Sequence, residues 1–365
     1  MFGFSIFLNE ALTNEHLAYI QAMKVAGFKG IFSSIHIPEE ENGPILERLQ
    51  SLGAIAKEHG LELVIDISGN ALAKLGLDFD NVFPLVDWGI TGLRMDYGIS
   101  NQQIASLSQH LKIALNASTL THADVSQLKA AKADFTRMEA WHNYYPRPET
   151  GLGSQEFELK NQWLQAQGFT VMAFVPGDQR LRGPLYETLP TLEKHRGGQA
   201  FVAALEMVKR FKVDHIYIGD PQLSAKAIML FETYIKEDVL TLPIRLAQGI
   251  TLADDQLIKQ QVTSLKGRHS NRLDGARDVI RSAEARLRKS QPVKALSKAA
   301  KRPKGTITID NEAYERYAGE VQVTKRALKA DERVNVLGHI QSDYRDLVNY
   351  CGPGQKFEFD WEEIE

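Results

Sequence analysis

The feature of this sequence that most restricts its fold is a repeated alternation of short apolar runs with longer segments of helical period, which continues to about residue 238. Runs rich in β-branched and aromatic residues predict strands, and segments with apolar residues every three or four positions predict helices. The predicted strands cover residues 2–8, 30–37, 61–68, 92–98, 112–118, 135–142, 169–176 and 215–220. Eight strands with intervening helices are typical of one (β/α)8 TIM barrel, an α/β fold.

An open, doubly wound sheet is the alternative architecture with the same order of elements. Its nucleotide-binding members need glycines after the first strand, but the segment here is FLNEAL, and neither a G-x-G-x-x-G motif nor a P-loop is present. The sequence therefore favours the barrel. In a barrel, the active site is built from the C-terminal ends of the strands and the loops after them.

The charge balance and the hydrophobic pattern of the sequence change after residue 238. Lys and Arg outnumber Asp and Glu over residues 266–305, and alternating β-type patterning follows in GTITIDNEAYERYAGEVQVTKRAL and ERVNVLGHI. We predict a barrel domain over residues 1–238 and a small, mainly β domain over residues 239–365. Because the basic segment lacks aromatic residues, anion binding by one or two of its arginines is favoured over nucleic-acid binding.

Composition excludes several classes of protein. With 43% hydrophobic residues, 24% charged residues and a net charge of -3, the chain resembles an ordinary globular protein and gives no argument for a nucleic-acid or membrane partner. The single cysteine, Cys351, can form neither an internal disulfide nor a zinc cluster. The N-terminus lacks the pattern of a signal peptide. We therefore expect a cytoplasmic location, whereas the oligomeric state is left open.

Polar side chains lie at or near the C-terminal end of most predicted strands. They are His36, Glu39 to Glu41, Asp66, Asp96, Tyr97, Asn116, Glu139, His142, Asn143, Asp178 and Asp220. Some have ordinary structural explanations, because Asp220 precedes Pro221 and can make a turn, and Asn116 can satisfy local backbone groups. Taken together, the ring of polar groups predicts a site at this end of the barrel.

One loop after these strands is rigid as well as polar. It reads EAWHNYYPRPETGLG, and its prolines at 146 and 148 fix their own φ and push Tyr145 and Arg147 toward extended conformations. An ordinary surface connection is the alternative. We predict that this loop forms a preorganised wall of the site, because fixing it in advance lowers the entropy lost on binding.

The chemistry available at these strand ends is that of carboxylates. Common metalloprotease, zinc and serine-hydrolase motifs are missing, which leaves Asp66, Asp96, Glu139 and Asp178. Such acids suit glycoside hydrolysis, in which one protonates the leaving oxygen and another acts as nucleophile or base. Because carboxylates also serve metal-dependent lyases and isomerases, the residues alone leave both classes open.

The segment WHNYYPRPETGLG resembles the signature H-N-F-Y-P-R-P-x-T-G-L-S of the 6-phospho-N-acetylmuramidase family, cytoplasmic glycosidases of cell-wall recycling. Further matches run in order through the chain, in LRMDYG, FVPGD, RGPLYETLPTLEKHR, NRLDGARDVIRS and GTITIDNEAYERYAGE. The resemblance implies a TIM barrel followed by a cyclophilin-like β-barrel domain. Gly153 departs from the pattern, since many relatives have serine at that position.

The resemblance also implies the substrate, a disaccharide of 6-phospho-N-acetylmuramic acid and N-acetylglucosamine. We predict that Asp96 and Glu139 are the catalytic pair, that Asp66 and Asp178 are reserves, and that no metal or other cofactor takes part. The planar forks of arginine match both the phosphate and the lactyl carboxylate of such a substrate, and we expect one arginine to come from the second domain. The predicted substrate-binding residues are His36, Tyr97, Asn116, His142, Asn143, Tyr145, Arg147, Arg182, Arg272 and Arg277. A metal-dependent lyase or isomerase, or a non-catalytic sugar-phosphate-binding protein, is the alternative.

Overall fold

The computed structural model divides into two compact units, Met1–Met229 and Leu230–Glu365. It describes residues 1–34, 45–67, 72, 77–79, 81–95, 98–247, 256–288, 292–296 and 299–361. The predicted strands at 30–37 and 61–68 therefore end outside the described residues, and the predicted strand at 92–98 includes two positions, 96 and 97, that lie outside them.

The first unit is a closed barrel of eight parallel strands within the described residues, in which each strand pairs with the next and β8 pairs with β1. The strands are β1 Phe2–Ser5, β2 Gly30–Ser34, β3 Glu62–Ile67, β4 Gly92–Met95, β5 Lys112–Asn116, β6 Met138–Trp141, β7 Thr170–Val175 and β8 His215–Ile218. The helices are α1 Asn14–Val25, α2 Ile45–His59, α3 Phe83–Asp87, α4 Asn101–Leu107, α5 His122–Ala130, α6 Ser154–Ala166, α7 Ala200–Lys209 and α8 Ala225–Glu237, with short 3-10 turns at Phe135–Arg137 and Glu193–His195. The predicted TIM barrel is confirmed.

Side chains, not solvent, fill the barrel interior. Alternate residues of a strand point to opposite faces, so one set from each strand faces inward. A buried cluster contains Phe32, Val64, Trp141, Phe174 and Tyr217, among others. The rings of Trp141 and Tyr217 lie 4.9 Å apart between centroids. This aromatic plug separates the N-terminal end of the barrel from its C-terminal mouth.

Glycines in two strands make room for the ring of Tyr217. A Cβ atom at Gly3 would lie 2.3 Å from Tyr217 Cε1, and one at Gly30 would lie 2.2 Å from its hydroxyl. No residue that the structure describes gives this buried hydroxyl a hydrogen-bond partner. The space at these two positions, rather than backbone freedom, is what requires glycine.

We predict that Gly3→Ala lowers the free energy of unfolding of the barrel by about 1 to 3 kcal/mol, because the new methyl overpacks a closed core. Urea unfolding followed by tryptophan fluorescence measures the change. Tyr217→Phe is the matched control: it keeps the ring and removes only the unpartnered hydroxyl, and it should not destabilise the protein. Equal stability of Gly3→Ala and wild type would contradict this account of the packing.

The second unit is built on a mixed sheet of seven strands within the described residues, in the order β10-β15-β9-β14-β12-β13-β11. The strands are β9 Val239–Leu246, β10 His269–Ser270, β11 Val279–Arg281, β12 Thr306–Asp310, β13 Val321–Thr324, β14 Val334–Ile340 and β15 Lys356–Asp360. Helix α9 spans Gln256–Thr263, and 3-10 turns span Glu312–Tyr317 and Ser342–Asn349. The pairings are antiparallel except for β15 with β9. The predicted small, mainly β, barrel-like fold is confirmed.

The described helices are all too short or too polar to span a bilayer.

Candidate active site

Arg94 connects two strand ends at the mouth of the barrel. It is the third residue of β4 and only 5% exposed. Its Nη1 donates to Oδ1 of Asp66 on the neighbouring strand at 2.7 Å, and its Nη2 donates to Oδ1 of Asn143. A buried guanidinium needs partners for its charge, so these two bonds from the terminal nitrogens fix all three side chains.

These three residues form part of a cavity of about 320 Å³ at the C-terminal end of the strands. The remaining lining is aromatic, from Phe32, Tyr144, Tyr145 and Phe174. The cavity therefore combines charged groups with apolar walls. Such a mixture orients a small polar ligand through its hydrogen bonds and packs against its less polar faces.

A second cavity, of about 330 Å³, is formed by residues that follow β1, β7 and β8. Its lining includes Phe7, His16, Arg180, Arg182 and Tyr186. Arg182 links the two cavities, because its Nη1 donates to the hydroxyl of Tyr144 at 2.7 Å while its guanidinium lies 3.9 Å from the ring centroid of Phe7. Arg182 is thus held in place before any ligand arrives.

Glu193 and Arg196 fasten the proline-containing loop. Glu193 Oε1 accepts from the amide of Glu149 at 2.8 Å, and Oε2 accepts from the amide of Gly151 at 2.7 Å. Arg196 Nε donates to Glu193 Oε1 at 2.7 Å, and its Nη2 donates to the carbonyl of Tyr145 at 2.9 Å. Glu149 has a φ of 69°, which is uncommon for a residue with a side chain, and these bonds hold it there.

Gly153 is the N-cap residue of α6 and provides no side-chain cap to that helix. Ser, Thr, Asp and Asn normally accept a hydrogen bond from the first turn at this position. A serine hydroxyl here would therefore act on the helix end. With glycine in place of serine, α6 lacks this cap.

Asp220 is buried and fixes the loops beside the second cavity. Its carboxylate accepts from the amides of Gly177 and Leu189 at 2.9 Å each and from the amide of Arg182 at 3.3 Å. Burial raises the pKa of Asp220, and the three amide bonds oppose that shift. These contacts agree with the structural role that the sequence allowed for Asp220, that of making a turn. They fix the backbone at Arg182.

Two more of the predicted residues are engaged in local structure. Asp178 accepts from the hydroxyl of Ser224 at 2.6 Å and from its amide at 2.7 Å, at the start of α8. Asn116 Oδ1 accepts from the amide of Ser118 at 3.0 Å. Neither residue is among those that line the two cavities.

His142 points away from the barrel axis. It is 1% exposed, its Nε2 lies 2.7 Å from Oδ1 of Asn161 on α6, and its ring packs against Phe157 with centroids 4.6 Å apart. Burial lowers the pKa of His142 to about 4, so the imidazole is neutral at neutral pH. The structure does not bring His142 into either cavity.

Glu139 lies at the opposite end of the barrel from Asp66. Its carboxylate bonds to Lys112 at 3.1 Å and to His215 at 3.4 Å, which are the first residues of β5 and β8, and accepts from Trp141 Nε1 at 2.6 Å. Burial raises the pKa of Glu139, but the bonds from His215 and Trp141 and the charge of Lys112 outweigh it and lower the pKa to about 2. The structure therefore does not bring Glu139 together with the other predicted acids.

The position of Glu139 follows from where β6 begins. We predicted a strand over residues 135–142, but Asp134 caps a 3-10 turn at Phe135–Arg137 by accepting from the amide of Thr136 at 3.0 Å. The strand starts at Met138, so Glu139 is its second residue. The expected position of Glu139 at a C-terminal strand end was wrong for this reason.

The remaining predicted residues fall into three groups. Tyr145 lines the mouth cavity, and Arg147 is exposed in the same loop. Arg272 and Arg277 belong to the second unit, where they pair with Asp274 and Asp278 at 2.9 Å each. His36, Asp96 and Tyr97 lie outside the described residues. Among the described residues, no group of three His, Cys, Asp or Glu side chains is arranged to hold a metal ion.

Sequence reasoning missed Arg94 as part of the site, and for Tyr144 it left open whether the ring packs in the core or lines a sugar site. A charged residue within the apolar run of β4 was the available signal for Arg94, because a strand buried on both faces tolerates a charge only with a partner. For Tyr144, residue type and position along the chain do not separate a core aromatic from a cavity wall. Both lie within the motifs LRMDYG and WHNYYPRPETGLG.

A closed (β/α)8 barrel with an acid, arginines and aromatic walls at its mouth has the form of a barrel enzyme that acts on a small polar substrate. A family model for the 6-phospho-N-acetylmuramidase N-terminal region matches residues 2–233, and one for the C-terminal region matches residues 240–360. The chain belongs to the 6-phospho-N-acetylmuramidase family and is a glycosidase. This confirms the resemblance seen in the sequence.

Solved structures share the whole architecture. A conserved protein of unknown function from Enterococcus faecalis is 44% identical with a TM-score of 0.88, over 99% of this chain and 96% of that one. An uncharacterized protein from B. cereus is 22% identical with a TM-score of 0.76, over 98% of this chain and 99% of that one, and shows the fold alone. No curated protein matches the chain significantly.

We predict that Glu193→Gln lowers the free energy of unfolding by about 1 to 2 kcal/mol near neutral pH, since charged hydrogen bonds to a partly exposed group are lost. Bonds from Arg196 and from the amides of Glu149 and Gly151 lower the pKa of Glu193 to about 2. Because the folded pKa is below the unfolded one, the stabilisation is present above about pH 4.5 and is lost as pH falls toward 2. The difference between variant and wild type should shrink over that range.

Urea unfolding at a series of pH values measures this difference. Glu47→Gln, which changes an exposed carboxylate on α2, is the matched control and should leave stability nearly unchanged. A constant difference between Glu193→Gln and wild type from neutral to acidic pH would show that the charge of Glu193 is not what fastens the loop.

Proposed function

We propose that this glycosidase hydrolyses the disaccharide of 6-phospho-N-acetylmuramic acid and N-acetylglucosamine, inside the cell, during recycling of cell-wall peptidoglycan. Membership of the family implies a small phosphorylated sugar as substrate. The observation that carries the proposal is the mouth cavity, where Asp66 stands among Arg94, Asn143 and aromatic walls. Sugars present hydroxyls at their edges and apolar faces between them, which suits this lining.

The catalytic carboxylates are proposed to come from Asp66 and Asp96. Of the four acids expected from the sequence, Asp66 is the one whose described carboxylate lines the mouth cavity. Asp96 follows Met95, the last residue of the adjacent strand β4. One acid would protonate the leaving oxygen and the other would act as nucleophile or base. The bonds of Asp178 to Ser224 and of Glu139 to Lys112 support positioning roles for those two residues.

We predict that Asp66→Asn and Asp96→Asn each lower kcat by about 1000-fold, since general acid and base catalysis contribute this order of magnitude. Glu139→Gln and Asp178→Asn should keep activity within about tenfold of wild type while lowering stability, because each breaks bonds within the fold. Mass spectrometry of the products, with EDTA present, measures cleavage. The same spectra distinguish hydrolysis, which adds water to the products, from elimination.

Circular dichroism of each variant serves as the control for folding. Full activity of Asp66→Asn would remove this residue from the chemistry. If Glu139→Gln folds but loses as much activity as Asp66→Asn, the division between catalytic and positioning acids is wrong. Activity that disappears with EDTA and returns with magnesium would favour the metal-dependent alternative.

The phosphate of the substrate is proposed to bind beside Arg182 and Arg180. Both line the cavity adjoining the mouth cavity, and Arg182 also contacts Tyr144, which lines the mouth cavity itself. An arginine fork matches a phosphate with two parallel hydrogen bonds. Sugar bound against Tyr144, Tyr145 and Asn143 would then place its 6-phosphate next to a cation that is already fixed.

We predict that Arg182→Gln raises KM for the phosphorylated disaccharide about 10- to 100-fold, the effect of losing a charged hydrogen bond to the ligand. The unphosphorylated disaccharide should be affected much less, because it lacks the group that Arg182 contacts. Steady-state kinetics with both substrates measure the difference. Arg137→Gln, at an exposed arginine outside both cavities, is the control. An unchanged preference for the phosphorylated substrate would contradict this assignment.

A further inference from the structure

The second unit contains a cavity of its own, with a volume of about 250 Å³. We call it the β11–β14 cavity, because it lies over one face of strands β11, β13, β12 and β14. Its lining includes Arg281, Arg302, Asp310, Tyr314, Tyr317 and Glu320. It is large enough for a small metabolite of a few heavy atoms and its polar groups converge on it, as in ligand sites.

The face of the sheet beneath this cavity is polar although it is largely buried. On the opposite face, Ile280, Ile307, Ile309, Val321 and Val323 are at most 1% exposed and form the core. The alternate residues of the same strands lie on the cavity side. Among them, Arg281 on β11 pairs with Gln322 on β13, which pairs in turn with Thr308 on β12. Burying such groups costs free energy unless partners meet them.

Glu320 has its partners within the protein. Arg281 donates to its two oxygens from Nε at 2.8 Å and from Nη2 at 3.0 Å, and Gln322 adds a bond at 2.9 Å. This carboxylate is 2% exposed and fully matched. It therefore has no need of a ligand.

Asp310 stands in contrast to Glu320. It ends β12 and is 4% exposed, yet its carboxyl group has no hydrogen-bond donor in the part of the chain that the structure describes. Burial first, and then the charge of Glu320, raise the pKa of Asp310 to about 7, against the nearby charges of Arg302 and Arg281, which lower it without donating a hydrogen bond. A buried, unpartnered carboxyl that faces a cavity is the kind of group that a ligand cation satisfies.

Arg302 supplies the opposite charge in the same cavity. Its backbone is fixed by hydrogen bonds in both directions with Leu328, and its Nε donates to the carbonyl of Lys329 at 2.9 Å. Its two terminal nitrogens have no hydrogen-bond acceptor among the residues that are described. The guanidinium is thus fixed through Nε, and its two terminal nitrogens have donors available for a carboxylate.

Two tyrosines, together with Val279 and Val334, provide the apolar part of the lining. Tyr314 donates its hydroxyl to Asp331 at 2.8 Å, which fixes the ring, and the Arg333 guanidinium lies 4.4 Å from its centroid. Tyr317 is 41% exposed. A fixed and an exposed tyrosine beside unmatched charges are typical of the wall of a small-molecule site.

We propose that the β11–β14 cavity binds a small zwitterion whose ammonium group pairs with Asp310 and whose carboxylate pairs with the fork of Arg302. The remainder of the ligand packs against Tyr314 and Tyr317. Free amino acids and amino-sugar acids both have this chemistry. A ligand with an ammonium alone would leave Arg302 unmatched, and a ligand with a carboxylate alone would leave Asp310 buried without a partner.

The test screens the standard amino acids and muramic acid against the intact protein by saturation-transfer NMR, at about pH 7.5, where most amines remain protonated. The compound that binds best is then titrated beside its methyl ester, which lacks the carboxylate, and its N-acetyl derivative, which lacks the ammonium. We expect each derivative to bind about tenfold more weakly or worse, as the loss of one charged bond implies. Amino acids and muramic acid in the screen distinguish the two sources of the zwitterion.

Variants then assign the charges. Asp310→Asn should remove the preference for the free amine over the N-acetyl form, and Arg302→Gln should remove the preference for the free acid over its ester. Asp343→Asn and Arg326→Gln change exposed residues of the same unit that do not line the cavity, and should bind like wild type. The comparison of derivatives on the wild-type protein remains decisive if either cavity variant fails to fold.

The proposal is overturned if none of the probes binds. It is also overturned if both derivatives bind as tightly as the parent compound, or if the two cavity variants bind all three compounds as the wild type does. Disaccharide cleavage by the barrel plays no part in these measurements. Failure of this proposal is therefore distinguishable from failure of the proposed glycosidase function.

Discussion

The alternation of side chains along a closed barrel decides which polar residues can meet a ligand. On β6 and just beyond it, Glu139, Trp141 and Asn143 share one side of the strand, and successive members lie about 7 Å apart along it. Trp141 belongs to the buried aromatic cluster. Glu139 is consequently below the plug, in a network with Lys112, and Asn143 is above it, bonded to Arg94. Two steps of this alternation, one on each side of Trp141, separate the buried structural charge of Glu139 from the mouth.

Local signals were sufficient to predict the fold. Runs of β-branched residues and helical periods are read over a few positions, and their eightfold repetition admits few architectures. Two members of the ring of polar residues, Asp66 and Asn143, line the mouth cavity at the end of the barrel where the sequence predicts a site. These predictions needed only the order of residues along each strand.

Side-chain direction and long-range partners could not be predicted in the same way. His142 faces α6 because it is one residue out of phase with Trp141, and the phase depends on a turn capped by Asp134. Asp178 meets Ser224, and Asp220 meets the amide of Gly177, across more than forty residues of chain in each case. The residues near these acids in the sequence do not indicate which distant group forms a hydrogen bond with them. The unmatched Asp310 is equally invisible until the fold brings its neighbours together.

The bonds of Glu193 and Arg196 have a mechanical consequence. They join the loop after β6 to the segment after β7, through the amides of Glu149 and Gly151 on one side and the carbonyl of Tyr145 on the other. Backbone bonds such as that from the amide of Tyr145 to the carbonyl of Pro190 join the same two segments, so neither wall can swing independently of the other. Any motion that widens this side of the mouth must break these bonds or carry both walls as one body, so opening there is a concerted displacement and not the swing of a single loop.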